Sequence, residues 1–200
     1  MRWDNLFDDL EGQLELELGA EETDLQAEEE RLRLGRLSIR DRVMSVHDAE
    51  ARGSAYAIRI DLSNGDRLAV RPMAFGRDWF SADLLDESSR RSQCIVPFAS
   101  ICGLVLTREQ VVASLRARPE DESERSLAAR LGLPFVLRDL CRRRKSLEVR
   151  TPGAAFFGTI DRVGRDHLDL AVHEAGEARR ESAVTQYRIV LMSHVALVKL

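Results

Sequence analysis

The second half of this 200-residue chain repeats a segment of its first half. Residues 75–79 read Phe-Gly-Arg-Asp-Trp and residues 163–167 read Val-Gly-Arg-Asp-His, at an offset of 88. Residues 95–101 (Ile-Val-Pro-Phe-x-x-Ile) match residues 189–195 (Ile-Val-Leu-Met-x-x-Val) at an offset of 94. A hairpin loop of different length explains the slip between the two offsets. The repeat predicts that the chain folds into two copies of one small unit.

Each copy of the repeat has the sequence pattern of a small all-β unit. In the first copy, apolar residues alternate with polar ones over 58–62. Asn64-Gly65 follows, and this dipeptide is the strongest short signal for a β-hairpin. Residues 97–101 read as a single 3₁₀-like turn before a last short strand. Five such strands predict a small closed barrel, because an open sheet of that size would leave its edges exposed.

The N-terminus predicts an amphipathic helix. Large apolar residues recur there every three or four positions between Asp and Glu residues, and Gly19 ends the pattern. A helix with one apolar stripe needs an apolar partner, which could be the body of the same chain. Our main expectation is that this stripe binds a protein partner or a second copy of the chain. The candidate partner-binding residues are Trp3, Leu6, Phe7, Leu10 and Leu14.

A second helical pattern runs from residue 21 to residue 47. Acidic residues lie N-terminal to basic ones at helical spacing, and each such pair stabilises a helix by about 0.2–0.5 kcal/mol. The pattern therefore predicts one helical stretch, with the pairs Glu28–Arg31 and Glu29–Arg33 on its surface.

Helices are also predicted between the two β units, over residues 107–118 and 123–145, with a break in the second one at Pro134. The fold is thus predicted to be mainly β with helical additions: two small five-stranded barrels, a helical N-terminus and a helical bridge. The predicted segments are a helical N-terminal segment 1–53, a first barrel 54–106, a helical bridge 107–145 and a second barrel 146–200.

Charge is divided unevenly along the chain. Residues 1–30 hold twelve acids and one base, and the rest of the chain holds 22 acids and 29 bases, so a balance of −11 is followed by one of +7. A basic body can bind phosphates, and the acidic N-terminus would then compete for the same surface. The candidate anion or nucleic-acid contacts are Arg77 and Arg165 in the repeated Gly-Arg-Asp turns, and the run Arg142, Arg143, Arg144 and Lys145.

Each of these basic groups also has a purely structural interpretation. A Gly-Arg-Asp sequence suits a hairpin turn in which the glycine adopts a positive φ and the arginine is merely exposed. The run 142–145 suits the solvated C-terminus of a helix, where cations interact favourably with the helix dipole. The sequence leaves both interpretations open.

The sequence contains no motif that predicts an enzyme, a cofactor or a metal site. It has no Walker loop, no G-x-S-x-G motif and no dinucleotide-binding glycine pattern. The cysteines Cys94, Cys102 and Cys141 form no C-x-x-C pair, and the four histidines lack metal-ligand spacing. The N-terminus has no apolar signal-peptide core, and no apolar run reaches the roughly 20 residues that span a bilayer. We therefore expect a cytoplasmic protein without catalytic activity.

Two family resemblances follow from these residues. Over 54–106 and 146–200, each β unit resembles a small SH3-like or Sm-like barrel, with five short strands, a glycine-bearing second turn and a closing segment that reads Ile-Val-Pro-x-x-x-Ile in the first copy. The resemblance implies the barrel fold; it implies no RNA binding, because no Sm-type RNA-binding motif is present. The opening Met-Arg-Trp-Asp-x-Leu-Phe-x-Asp-Leu-Glu also resembles a family of uncharacterised proteins of GC-rich Gram-positive bacteria.

A duplicated small unit without catalytic motifs is typical of a binding protein. We therefore expect a cytosolic adaptor or regulatory protein that acts through protein–protein contacts and self-association. The alternative is a transcription-related nucleic-acid-binding protein that uses the basic body, with the acidic N-terminus modulating binding.

Overall fold

The computed structural model of the chain describes residues 22–50, 56–85, 92–116, 127–176 and 179–200. The chain divides into two compact units, Met1–Asp41 and Arg42–Leu200. The N-terminal stripe from Trp3 to Leu14 lies outside the described residues, so its helix and its partner stay predictions.

Helix α1 spans residues 22–36 in the first unit. Arg31 lies 3.1 Å from Glu28, which confirms the first predicted pair. Arg33 binds Glu30 at 2.6 Å, and the predicted pair with Glu29 stays a prediction. These side chains are exposed or partly exposed, so water screens the ion pairs and the pairs contribute little to stability.

The helical stretch predicted over 21–47 is divided in two. Helix α1 ends at residue 36, and helix α2 spans Ile39–Glu50. Between them, the Ser38 hydroxyl accepts a hydrogen bond from the Asp41 backbone N–H at 3.1 Å, and the Asp41 carboxylate accepts one from the Ser38 N–H at 2.9 Å. This reciprocal cap starts a new helix, because it satisfies N–H groups that otherwise lack a partner in the first turn.

The second unit contains the strands and the remaining helices. Their bounds are β1 Ile58–Leu62, β2 Arg67–Phe75, β3 Trp79–Leu84, β4 Ser92–Pro97, β5 Ile101–Val105, α3 Arg108–Ser114, α4 Leu127–Arg130, α5 Leu133–Arg142, β6 Ser146–Arg150, β7 Ala155–Val163, β8 His167–Val172, β9 Gln186–Leu191 and β10 Leu197–Lys199. Short 3₁₀ turns, Phe98–Ser100 and Met192–His194, precede β5 and β10. The first of these confirms the turn predicted over 97–101.

The ten strands form one antiparallel sheet in the order β5-β1-β2-β3-β4-β10-β6-β7-β8-β9. The prediction of a mainly β chain with helical additions is therefore confirmed. The strand pairing does not show the two separate closed barrels that the sequence predicted, because β4 of the first repeat hydrogen-bonds to β10 of the second. That pairing covers one edge of each five-stranded half and makes a single continuous sheet.

The repeat is visible in the details of the strands. The second strand of each half carries a bulge at the same position, between Pro72 and Ala74 in β2 and between Ile160 and Arg162 in β7. Equal bulges bend the two hairpins in the same way. The two five-stranded halves therefore have equivalent residues, with the offset of 88 through the central hairpin.

Two apolar cores lie within this unit. The first is formed by β1–β5 and by Val43 and Val46 of α2, and the second by β6–β10 and by Leu133, Leu137 and Leu140 of α5. Pro134 stands in the first turn of α5, where a missing N–H costs nothing. The predicted break at this proline is therefore the start of a helix that covers the second core.

Candidate protein-binding edge strand

The joint between the two repeats shows how these β units bind a strand. In the joint, Val198 of β10 lies opposite Ile95 of β4, and Lys199 lies opposite Cys94. The Leu200 N–H extends the ladder by donating to the Gln93 carbonyl at 2.8 Å. The bound strand is thus added to the edge of β4 by main-chain hydrogen bonds.

Side chains are exchanged across this joint. Ile95 belongs to the first repeat by sequence but packs in the second core, where 2% of its surface is exposed. Leu197 of β10 packs in the first core and is fully buried. Burying side chains of this size stabilises the joint by about 1.5–3 kcal/mol each. The two repeats therefore share their cores as well as their sheet.

Polar contacts reinforce the joint at its ends. The Ser100 hydroxyl lies 2.8 Å from the Ala196 carbonyl oxygen, to which it donates. Arg150 lies 2.9 Å from the Asp66 carboxylate and 2.7 Å from Glu148. Partial burial opposes ionisation of Asp66, but hydrogen bonds from Arg150 and Asn64 outweigh it and lower the pKa of this carboxyl.

Strand β9 is the counterpart of β4 in the second repeat. Trp79 lies opposite Pro97 in the first repeat, and His167 lies opposite Leu191 in the second. The register therefore places Ile189 at the position that Ile95 occupies in β4, which agrees with the sequence offset of 94.

The two equivalent isoleucines have opposite environments. Ile95 is 2% exposed because it packs in the second core, whereas Ile189 is 74% exposed. Tyr187 and Leu191 lie on the same face of β9 as Ile189 and are also exposed. Strand β9 pairs with β8 alone among the described strands. It therefore presents an open main-chain edge and a row of three large apolar side chains.

An open groove runs beside this row. It lies between β9 and the turn that joins β6 to β7, and Thr151, Pro152, Phe156 and His194 contribute to its lining. The guanidinium of Arg188 lies 4.1 Å from the centre of the Phe156 ring, which holds this arginine on the other face of β9.

The opposite edge of the sheet is β5, which pairs with β1 alone among the described strands. It is the counterpart of β10, because Leu104 lies opposite Ile60 in the first repeat as Val198 lies opposite Val149 in the second. Val105 on this strand is 51% exposed, and Cys102 is also exposed. The sheet thus ends in one β4-type edge and one β5-type edge.

The predicted basic run is largely engaged with carboxylates. Arg142 and Arg143 both contact Asp139, each at 2.6 Å, and the hydrogen bond from Arg142 is the main reason that the pKa of Asp139 is lowered. Arg144 lies 3.3 Å from Asp161. The structure therefore brings these arginines together at the end of α5, but around acidic side chains, and phosphate binding by this run stays a prediction.

The other predicted basic residues lie apart from this cluster. Arg77 and Arg165 are exposed in the equivalent turns after β2 and β7, and Lys145 is exposed before β6. The Arg77 backbone N–H donates to the Leu131 carbonyl at 2.9 Å, which ties its turn to the loop between α4 and α5. Both arginines are placed to reach solvent, as both interpretations of the repeated turn require.

The repeated glycines serve a different purpose from the one predicted. Neither Gly76 nor Gly164 has a positive φ. A Cβ atom at Gly76 would lie 2.2 Å from the Trp79 ring, and one at Gly164 would lie 2.5 Å from the His167 ring. Glycine is needed in these turns because the ring three residues later lies against the backbone.

Sequence reasoning did not single out β9 as a site. The signal was present, because Tyr187, Ile189 and Leu191 recur at every second position of a strand. The same pattern predicts a buried face, however, and Ile95 and Pro97, the counterparts of Ile189 and Leu191 in β4, are buried. Exposure of the row depends on the order of the strands, which the local pattern does not contain.

The part of the chain that the structure describes shows neither a metal-binding cluster nor a membrane-spanning helix. Within it, no three His, Cys, Asp or Glu side chains converge to bind a metal ion. None of its helices combines the length and the apolar character needed to cross a bilayer. Comparison with known proteins gives no relative: no protein-family model, no curated protein and no solved structure matches the chain.

Proposed function

We propose that this chain is a non-enzymatic protein-binding adaptor that captures an extended strand on the edge of β9. The observation that carries the proposal is the contrast between Ile189 and Ile95 at equivalent positions. Open sheet edges that carry apolar residues attract further strands, and soluble proteins normally cover or charge them. An edge of this kind that is left open is best explained by a partner.

The internal joint supports the same function. There, an equivalent edge binds a strand by main-chain hydrogen bonds, and Ile95 becomes buried in the process. In strand addition, main-chain bonds supply affinity while alternate side chains supply specificity. At β9, the row of Tyr187, Ile189 and Leu191 would select a partner strand with apolar residues at every second position.

A finer interpretation of the fold belongs to the same proposal. Each five-stranded half would be an SH3-like or Sm-like module whose β4-type and β5-type strands stay open to neighbours. On this interpretation, the chain is a tandem of two modules that are already joined once. Strand addition at the outer edges would be the general mode of binding of these units.

The proposal is tested by retention of proteins on the tagged full-length chain from an extract of the native host, with identification by mass spectrometry. The substitution Ile189→Lys adds a charge to the exposed edge without disturbing a buried residue. The matched control is Val112→Lys, which introduces the same charge at an exposed apolar residue of α3. We expect the wild type and V112K to retain the same proteins, and I189K to lose them.

Retention of the same proteins by I189K would refute capture on β9. Nucleic-acid binding, the alternative function, is measured in parallel at low salt. Counterion release makes such binding strongly salt-dependent. DNA or RNA binding that is the same for I189K and the wild type at low salt, and that is lost at high salt, would favour the basic body as the functional surface.

A further inference from the structure

We propose that the strand captured by β9 is β5 of a second copy of this chain. This inference rests on the proposed function and identifies the partner. Its basis is the internal joint, where β4 binds β10. Strand β9 is the counterpart of β4, and β5 is the counterpart of β10. The two open edges of the sheet therefore correspond to the two strands that pair with each other in the internal joint.

The internal register specifies the contacts between the two copies. In the joint, Ile95 lies opposite Val198 and Cys94 lies opposite Lys199. Moving each strand to its counterpart places Ile189 of one copy opposite Leu104 of the other, and Arg188 opposite Val105. Ile189 then becomes buried against the first core of the second copy, as Ile95 is buried in the second core.

A polar contact of the joint also has a counterpart. The Ser100 hydroxyl reaches the Ala196 carbonyl oxygen at 2.8 Å. The equivalent positions are His194 and Cys102, both exposed in a single copy. An imidazole N–H of His194 can donate to the Cys102 carbonyl of the second copy, so a donor is kept at this end of the interface.

Two contacts of the internal joint are not reproduced between copies. Asp66, which binds Arg150, corresponds to Ala154, so the ion pair is lost. Leu197 corresponds to Gly103, which has no side chain to insert into the facing core. The association is therefore weaker than the covalently linked joint, and it depends on protein concentration.

The symmetry of this contact is head-to-tail. The edges β9 and β5 lie at opposite ends of the strand order. Two joined copies keep one open edge of each type, so a third copy can add in the same way. Such heterologous contacts continue until a ring closes or a filament forms. Assemblies larger than a dimer are thus expected from the wild-type chain.

The experiment measures the mass of the full-length chain by sedimentation over a wide range of concentration. I189K blocks the β9 edge, and Cys102→Arg places a bulky charge on the β5 edge, where the counterpart Ala196 is fully buried in the joint. The controls are V112K and Cys102→Ala. We expect concentration-dependent association in the wild type and both controls, and an association at least roughly tenfold weaker in each edge variant alone.

Mixing the two edge variants gives the decisive result. I189K keeps an intact β5 and C102R keeps an intact β9, so the mixture is expected to form one joint and stop at a dimer. Association of C102R equal to that of the wild type would indicate symmetric β9–β9 pairing and overturn the inference. A monomeric wild type would also overturn it. If I189K nevertheless fails to retain host proteins that the wild type retains, the proposed function holds although the pairing of β9 with β5 is wrong. If retention of no protein, including a second copy of the chain, depends on Ile189, both the pairing and the proposed function are wrong.

Discussion

Replacing Ile95 by alanine tests whether the two repeats share one folded core. Ile95 is 2% exposed and packs among side chains of the second core, although its strand belongs to the first repeat. Truncation of a buried isoleucine loses its transfer free energy and leaves a cavity, at a cost of about 2–5 kcal/mol. The position lies inside a closed joint that cannot easily collapse, so we expect a loss of about 3–4 kcal/mol.

Ile189→Ala is the matched control, because it makes the same chemical change at the equivalent position. Ile189 is 74% exposed, so its truncation removes little buried surface. Surface substitutions of this kind change stability by no more than about 0.5 kcal/mol. The free energies of unfolding of I95A and I189A should therefore differ by about 3 kcal/mol, in favour of I189A.

The assay is urea-induced unfolding, followed by far-ultraviolet circular dichroism and by tryptophan fluorescence. The protein is kept dilute, so that association between copies does not bury Ile189 and raise the apparent free energy of unfolding. We expect one transition by both probes, with a lower midpoint and an unchanged slope for I95A. A difference under about 1 kcal/mol between the variants, or two separate transitions in the wild type, would refute a shared core.

Three further predictions concern the same unit. Asp66→Asn should lower the free energy of unfolding by about 1 kcal/mol at neutral pH; because the pKa of Asp66 is lowered in the folded state, this difference should vanish as the pH falls through that pKa. Gly158→Ala should cost about 2–3 kcal/mol in thermal unfolding, since its Cβ would lie 2.3 Å from a carbonyl oxygen of β8, whereas Gly153→Ala meets nothing within 4 Å and should be neutral. In dilute native protein, a thiol reagent should label exposed Cys102 rapidly and leave Cys94 unlabelled, because burial raises the pKa of the Cys94 thiol to about 12.

Each of these has an outcome that contradicts it. A stability difference between D66N and wild type that persists in acid would show that the ion pair is not its source. Equal melting temperatures of G158A and G153A would mean that β7 and β8 lie farther apart than described. Labelling of Cys94 at the rate of Cys102 would show that β4 is open to solvent.

Much of the local structure follows from the sequence alone. Alternation over 58–62 and the Asn64-Gly65 turn predict the first hairpin, and Gly65 has the positive φ that this turn requires. The turn over 97–101 and the helix break beside Pro134, which lies in the first turn of α5, are likewise local. Each depends on dihedral preferences and on neighbours a few residues away, which short segments of sequence record.

Other features depend on contacts that the local pattern does not contain. The stretch 21–47 has helical periodicity throughout, but Ser38 and Asp41 cap each other and start a new helix. Gly76 looked like a residue chosen for positive φ, whereas the Trp79 ring lying against it is the actual reason. The expected closed barrels rested on the cost of open edges, and pairing of β4 with β10 covers only one edge of each half.

Pattern and spacing along the sequence show that the chain repeats a β unit, where most strands and turns lie, and that Ile95 and Ile189 are equivalent. The burial of Ile95 and the exposure of Ile189, in contrast, arise from tertiary contacts. The reason is that the burial of an edge residue depends on which strand lies beside it. Beside Ile95 lies β10, whose Val198 is about a hundred positions away in the sequence. On the outer side of Ile189, none of the described strands pairs with β9.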